Sequence, residues 1–483
     1  MFMQRNVAYV LLIAMLGLIA LGLVMLTSTS AVLASTDMSG VYSNLRKQCV
    51  WLGIGGVTCV FLSRYDYQKV LRFAPWALGL ATLLLAILLL PHLGKTINGS
   101  RRWLYVGGWT YQPSEFAKVA LILFLSWWMG KYQRRSGEFM KGFLLPILCT
   151  VPMFALMVKQ QDFGTTAIML AIIAAILFCG GTNLFHLGLI ALVAAAGLAI
   201  TTTYNHERMG RMKAWWATVH QSNVHLTDDE AKEQIQALLG KNSPRQIHSV
   251  LSKGDPEELT LIAKYQPQAF AILAKADPRG MTGIVENNTQ LLDLMMENAP
   301  QTLNNLTQYD PKLQDVITKE KAVMAKGYQQ KQALIALGSG GISGLGLGNS
   351  RQKMYWLPEV NTDFVFPIIG EELGMWVTLS VVFAFLTLIL CSGWITIHAP
   401  DPVGVLLGTG LTMMIALQAL MNLAVVTSLM PCKGIPLPFI SYGGSNLLTC
   451  LAAIGLLFNL HRQGIYQAQS TPTLASASYS VRM

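Results

Sequence analysis

Long apolar runs broken by short polar stretches dominate this chain. Ten of them approach the roughly 20 apolar residues that a helix needs to cross a hydrocarbon layer. They lie near 8–28, 46–63, 72–91, 113–130, 142–158, 165–181, 185–203, 367–391, 403–424 and 444–461. Gly and Pro interrupt several of them, as membrane helices tolerate. The first run follows Arg5 and ends near Ala31-Val32-Leu33-Ala34, which has the outline of a cleavable signal. It exceeds the apolar core of about 7–15 residues typical of such signals and reads as a retained helix.

Composition agrees. Of 483 residues 53% are hydrophobic and 12% charged, against about 25% charged in soluble domains; mean hydropathy is +0.44. The expected fold class is an all-α polytopic membrane protein, and collagen, coiled coil, disulfide scaffold and disordered chain are excluded. The seven cysteines are scattered, with no C-x-x-C pair and no metal-ligand spacing.

The net charge of +10 is uneven: residues 217–326 hold 11 Lys+Arg against 14 Asp+Glu, so the remainder is strongly basic. Arg5, Arg64, Lys69, Arg72, Lys131, Arg134, Arg135, Lys141 and Arg462 place both termini in the cytoplasm by the positive-inside rule. Arg46, Lys47, Lys95, Arg101 and Arg102 then stand outside against that bias, as phosphate binders would. No basic helix or aromatic-basic interleaving suggests nucleic acid; the surrounding partner is membrane lipid.

The expected organisation is helices 1–7 over 1–216, an insert over 217–326, a re-entry loop with helices 8–10 over 327–463, and a cytoplasmic tail over 464–483. Within the insert Pro256, Pro267, Pro278, Pro300 and Pro311 recur at multiples of eleven residues, with Thr289 in the vacant place. Each unit starts with a cap-like residue or Pro and has apolar residues one helical turn apart, which predicts a stack of short helices. A protein-binding surface and a plain spacer both fit.

Four polar clusters sit at the predicted outer ends of the helices, where charge is costly and usually functional. Asn98 to Trp103 precedes Gln112-Pro113-Ser114-Glu115-Phe116-Ala117-Lys118, in which Glu115 and Lys118 share a helix face. Lys159 to Thr165 carries Asp162, a possible N-cap. Tyr355 to Phe364 leads into Gly370-Glu371-Glu372, and Asp363 sits where the chain re-enters the apolar layer. That position suits a general base, or a simple helix cap. Gly434 to Asn446 is Pro- and Gly-rich, an irregular backbone tolerated at such depth only inside protein or along a cavity. The glycine-rich stretch 339–350 lacks the Gly-Lys-Ser/Thr ending of a phosphate loop.

The motifs NGSRRWL, QPSEFAK, QQDFGT, ALIALGSGGISGLGLGNSRQK, LPEVNTDFVFPIIGEELG and GIPLPFISYGGSN, in this order, resemble the SEDS family, the FtsW/RodA/SpoVE group. GLGNSRQK and the QALIALGSGG run are similar to its division-type, FtsW-like branch rather than the elongation-type branch. The resemblance implies a ten-helix, inverting glycosyltransferase that polymerises lipid II at the septum of the bacterial inner membrane. It implies Asp363 as the base acting on the acceptor hydroxyl. Arg101, Arg102, Lys118 and Lys353 would supply charge for the pyrophosphate, as would a divalent cation, Mg or Mn. Trp103, Glu115, Asp162, Glu372 and Ser441 would line the substrate site, and Arg208 and Arg211 would form a basic pair heading the large loop. Expected partners are a class B penicillin-binding protein transpeptidase and other divisome membrane proteins. QQDFG stands where QPDLG is usual, Cys432 falls in a predicted outer loop, and the insert enlarges the loop that carries Asp363. A lipid flippase and a non-catalytic scaffold are the rival readings; clustering of the polar motifs on one side and the intact TDF motif weigh against them.

Overall fold

The computed structural model describes residues 2–33, 38–90, 94–97, 100–107, 109–189, 192, 292, 329–355 and 360–470. The chain divides into two compact units, Met1–Ala199 with Gln332–Met483, and Ile200–Lys331. The eleven-residue repeats of 217–326 fall in the second and, with Arg208, Arg211 and most of the expected seventh span, lie outside the described residues.

The first unit is a helical bundle. Its helices are α1 (Phe2–Leu33), α2 (Met38–Arg64), α3 (Tyr67–Arg72), α4 (Ala74–Ile87), α5 (Pro113–Lys131), α6 (Leu145–Lys159), α7 (Phe163–Cys179), α8 (Gln352–Tyr355), α9 (Val365–Ile397), α10 (Pro402–Val426) and α11 (Gly444–Ser470). Nine of the ten expected spans thus have a described helix. Six described segments are long and apolar enough to cross a membrane. The chain is a polytopic helical membrane protein. One departure from an all-helical reading is small. The connection before α5 forms a three-stranded antiparallel sheet, Gly94–Ile97, Ser100–Val106 and Trp109–Tyr111 (β1–β3). Its alternating Trp103, Tyr105, Trp109 and Tyr111 suit a pleated, half-buried surface.

The end of the bundle opposite the sheet is tied by side chains. Tyr67, fully buried, donates its hydroxyl to Asp401 (2.7 Å), and Asp401 also caps α10 through the Gly404 amide (2.6 Å). Asn459 of α11 donates to the carbonyls of Leu62 and Tyr65, satisfying the end of α2. Partial burial of Asp66 opposes its charge. Bonds from Gln463 and the Gln68 amide, together with Lys69 and Arg462, still hold it below the usual carboxylate range.

α9 is broken at Gly374, which adopts φ 80°, ψ −176°. The break frees peptide groups that a membrane helix would otherwise pair, and the glycine-rich run supplies the partners. The Leu345 and Gly346 amides donate to the carbonyls of Glu371 and Glu372 (both 2.9 Å), and the Met375 amide donates to the Gly341 carbonyl (3.0 Å). Such backbone-to-backbone contact requires glycine: a Cβ on Gly344, at φ +78°, would lie 2.3 Å from the Glu372 carbonyl oxygen. Gly344→Ala is therefore expected to lower stability by about 2 kcal/mol or more. Gly53→Ala, at a helical glycine with nothing within 4 Å, should change it by no more than about 1 kcal/mol. Thermal unfolding in detergent measures both.

Candidate functional site

Most of the expected site residues gather at the sheet end of the bundle, around the loop 433–446. Two segments without regular structure interlock there. The Ser441 hydroxyl donates to the Thr362 carbonyl and accepts the Leu437 amide (2.8 Å). The Tyr442 amide donates to the Asn361 carbonyl (2.8 Å). From beneath, the Asn422 side chain of α10 donates to the carbonyls of Asp363 (2.9 Å) and Ile435 (2.7 Å). Asp363 is held half-buried in this lock. A Cβ on Gly434 would lie 2.8 Å from its Oδ2, so the carboxylate rests against bare backbone. Asp363 is not a helix cap, since the N-cap of α9 is Phe364 and has no side-chain cap bond.

α5 forms a second wall. Lys118 and Glu115, both buried, meet at 2.9 Å, as their i, i+3 spacing leads one to expect. Asn446, at the start of α11, donates to Glu115 (3.1 Å) and joins this pair to the 433–446 loop. The Lys118–Glu115 contact is close but poorly directed, and among the described residues the ammonium has no hydrogen-bond acceptor. Burial pushes the neighbouring Tyr111 hydroxyl up to about 12, with the Glu115 charge adding to the shift.

Asp162 occupies the N-cap position of α7, yet its side chain does not cap the helix. It accepts instead from Ser114 (2.9 Å) and faces Arg102 at 3.6 Å, while Arg102 also donates to the Gln161 carbonyl (2.6 Å). Gln161 turns the chain there at φ 60°. β2 bulges at Arg102, between the Lys95–Trp103 and Thr96–Arg101 pairs, and this bulged residue is the one that reaches the carboxylate. Arg101 is exposed and Trp103 half-buried.

Lys353 and Glu372 form a third cluster. The ammonium is bound to Glu372 and to the Ser28 hydroxyl (2.9 Å), and Ser28 donates to Glu372 (2.6 Å). Both charges are buried, so Lys353 is held by protein groups rather than presented to solvent. The adjacent Glu371 has a separate task, accepting the Ser350 hydroxyl and the Arg351 amide (2.9 Å) at the start of α8. Ser28 and Asn422 lie outside every motif of the sequence reading, and Glu371 and Asn446 lie inside motifs without being singled out there. The polar Thr27-Ser28-Thr29-Ser30 at the end of an apolar helix was the one visible signal for Ser28. Among the described residues no three His, Cys, Asp or Glu side chains converge into a metal-ligating set.

Breaking a buried pair leaves an uncompensated charge, so Lys353→Met is expected to cost about 3–5 kcal/mol. Lys353→Met with Glu372→Gln should recover much of that. A double-mutant cycle on thermal unfolding measures the coupling.

The chain matches the family model FtsW/RodA/SpoVE, described as cell cycle protein, over residues 9–229 and 303–465. Stage V sporulation protein E of Bacillus subtilis is 29% identical over 459 residues, 94% of this chain and 97% of that protein. A protein named probable peptidoglycan glycosyltransferase FtsW, of Trichlorobacter lovleyi, is 28% identical over 454 residues, 93% and 92% of the two chains. Among solved structures, RodA of Thermus thermophilus is 22% identical with a TM-score of 0.52, covering 94% of this chain and 96% of that one. A chain from a peptidoglycan synthase complex is 21% identical with a TM-score of 0.54, covering 94% and 97%. At these identities the structural likeness is one of fold. The family match, by contrast, takes in well over half of the residues and both halves of the bundle: this chain belongs to the SEDS family, the FtsW/RodA/SpoVE group of cell cycle proteins.

Proposed function

We propose that this protein is a peptidoglycan glycosyltransferase that polymerises lipid II into glycan strands, with Asp363 as the general base. The observation that carries the reading is the half-buried Asp363 carboxylate, set against Gly434 and fixed through its own main chain by Asn422. A base poised in this way takes the proton of the acceptor GlcNAc 4-hydroxyl as that oxygen attacks C1 of the donor MurNAc. The C1–oxygen bond to pyrophosphate breaks, undecaprenyl pyrophosphate departs, and the configuration at C1 inverts. One base suffices because the leaving group already carries its charge in stable form.

The departing oxygens need positive charge placed in advance. Arg101, exposed at the sheet end, and Arg102, held by Asp162 and the Gln161 carbonyl, are assigned this role. Lys118, buried beside Glu115 with N–H groups still without an acceptor, is a further candidate. The divalent cation expected from the family is proposed as a companion of the pyrophosphate. Mg2+ is commonly held by one or two carboxylates plus phosphates. Trp103, Ser441 and the Glu115 pair shape the site around the sugars, while the Lys353–Glu372 pair supports its frame.

The division role at the septum of the inner membrane is supported by the motif resemblance and by relatives named FtsW, and the cytoplasmic placement of both termini by the positive-inside pattern. A class B penicillin-binding protein is the proposed partner, in keeping with the synthase complex whose chain shares this fold.

The test supplies purified protein, with and without its cognate transpeptidase, with labelled lipid II and Mg or Mn, and resolves glycan products on a gel. Wild type is expected to make polymer. Asp363→Asn, folded to the same extent, should lose about a hundred- to ten-thousandfold in rate. No polymer from a folded complex would sink the polymerase reading in favour of a flippase or a scaffold.

A further inference from the structure

We infer that Asn422, a residue outside every motif of the family resemblance, positions Asp363 for the reaction; this rests on the polymerase reading above. Its side chain is 2% exposed. One amide nitrogen serves two acceptors, the carbonyls of Asp363 and Ile435, at 2.9 and 2.7 Å. Because both partners are carbonyls, the orientation of the amide is settled: the flipped form would set oxygen against oxygen.

The two carbonyls belong to different walls of the site. One is the main chain of the base itself. The other follows directly after Gly434, the residue whose bare backbone meets the Asp363 carboxylate. A single side chain thus fixes both the base and the surface against which it rests. Ser441 fastens the same turn from the other side, through the Thr362 carbonyl.

The plain alternative is that Asn422 merely satisfies two carbonyls stranded by irregular backbone. What favours the positioning role is which carbonyls are bound: one belongs to the base and the other follows Gly434, against which its carboxylate rests. Gln418 offers the matching control, because it shares the helix and the burial and makes no bond to the Asp363 loop.

The experiment uses the full-length chain in nanodiscs with labelled lipid II, bracketed by wild type and Asp363→Ala. Asn422→Ala is expected to lower kcat about a hundredfold, the cost of a small misplacement of a catalytic group, with KM for lipid II unchanged. Asn422→Ser, which keeps one donor, should recover part of the rate, and Gln418→Ala should keep wild-type kcat. Hydrogen exchange should quicken in 361–364 and 434–437 of Asn422→Ala and stay unchanged in 404–415. Wild-type kcat in Asn422→Ala, unchanged exchange in the two loops, or a loss that only follows the folded fraction would each overturn the inference. If wild type makes no polymer even with its cognate transpeptidase added, the polymerase reading falls. The exchange pattern then decides by itself whether Asn422 holds residue 363.

Discussion

Peptide groups that leave a helix at membrane depth must find partners inside the protein, and that constraint organises the whole sheet end of this bundle. Three stretches of irregular backbone meet there: 340–350, 360–364 and 427–443. None is stable alone, since each strands amides or carbonyls away from water. The last two pair one another, directly or through Ser441 and Asn422, while 340–350 pairs with the break in α9. The geometry around Asp363 is therefore a property of two interlocked segments and of the helices that carry them.

Charge is handled in the same way. Glu115 with Lys118 and Glu372 with Lys353 are buried pairs, each steadied by a neutral donor, Asn446 in one case and Ser28 in the other. Asp162 is steadied by Ser114 and faces an arginine that is partly open to solvent. The Lys353–Glu372 pair ties α8 to α9, the Glu115–Lys118 pair lies along α5 and reaches α11 through Asn446, and the Asp162 pair leaves its cation partly at the surface. Lys353 thus serves the frame, and Arg102 is the cation most open to an anionic substrate.

Much of this was legible in advance. Nine of the ten spans followed from apolar run length, and the Glu115–Lys118 pair from its spacing. The sheet at 94–111 was missed because its alternation is short and lies inside what reads as an outer connection. Asp162 has the residue type and place of a helix cap, but the caps of α7 and α9 are governed by tertiary partners that local sequence does not reveal. The glycine-rich run was recognised only as lacking the ending of a phosphate loop; its partner is the break in α9, some thirty residues away in the chain. Asn422 sits inside an apolar run and Asn446 ends the Pro- and Gly-rich motif, and in neither place does an amide show which carbonyl or carboxylate it will meet.

The break at Gly374 also divides the labour of α9. From Gly374 to Ile397 the helix has 24 residues, about 36 Å at 1.5 Å per residue, which alone exceeds a hydrocarbon layer of about 30 Å. The nine residues from Val365 to Leu373 are therefore surplus to hydrophobic matching. Freed from that requirement, this short segment can be oriented by what it carries: Glu371 and Glu372 at one end and the Asp363 turn at the other.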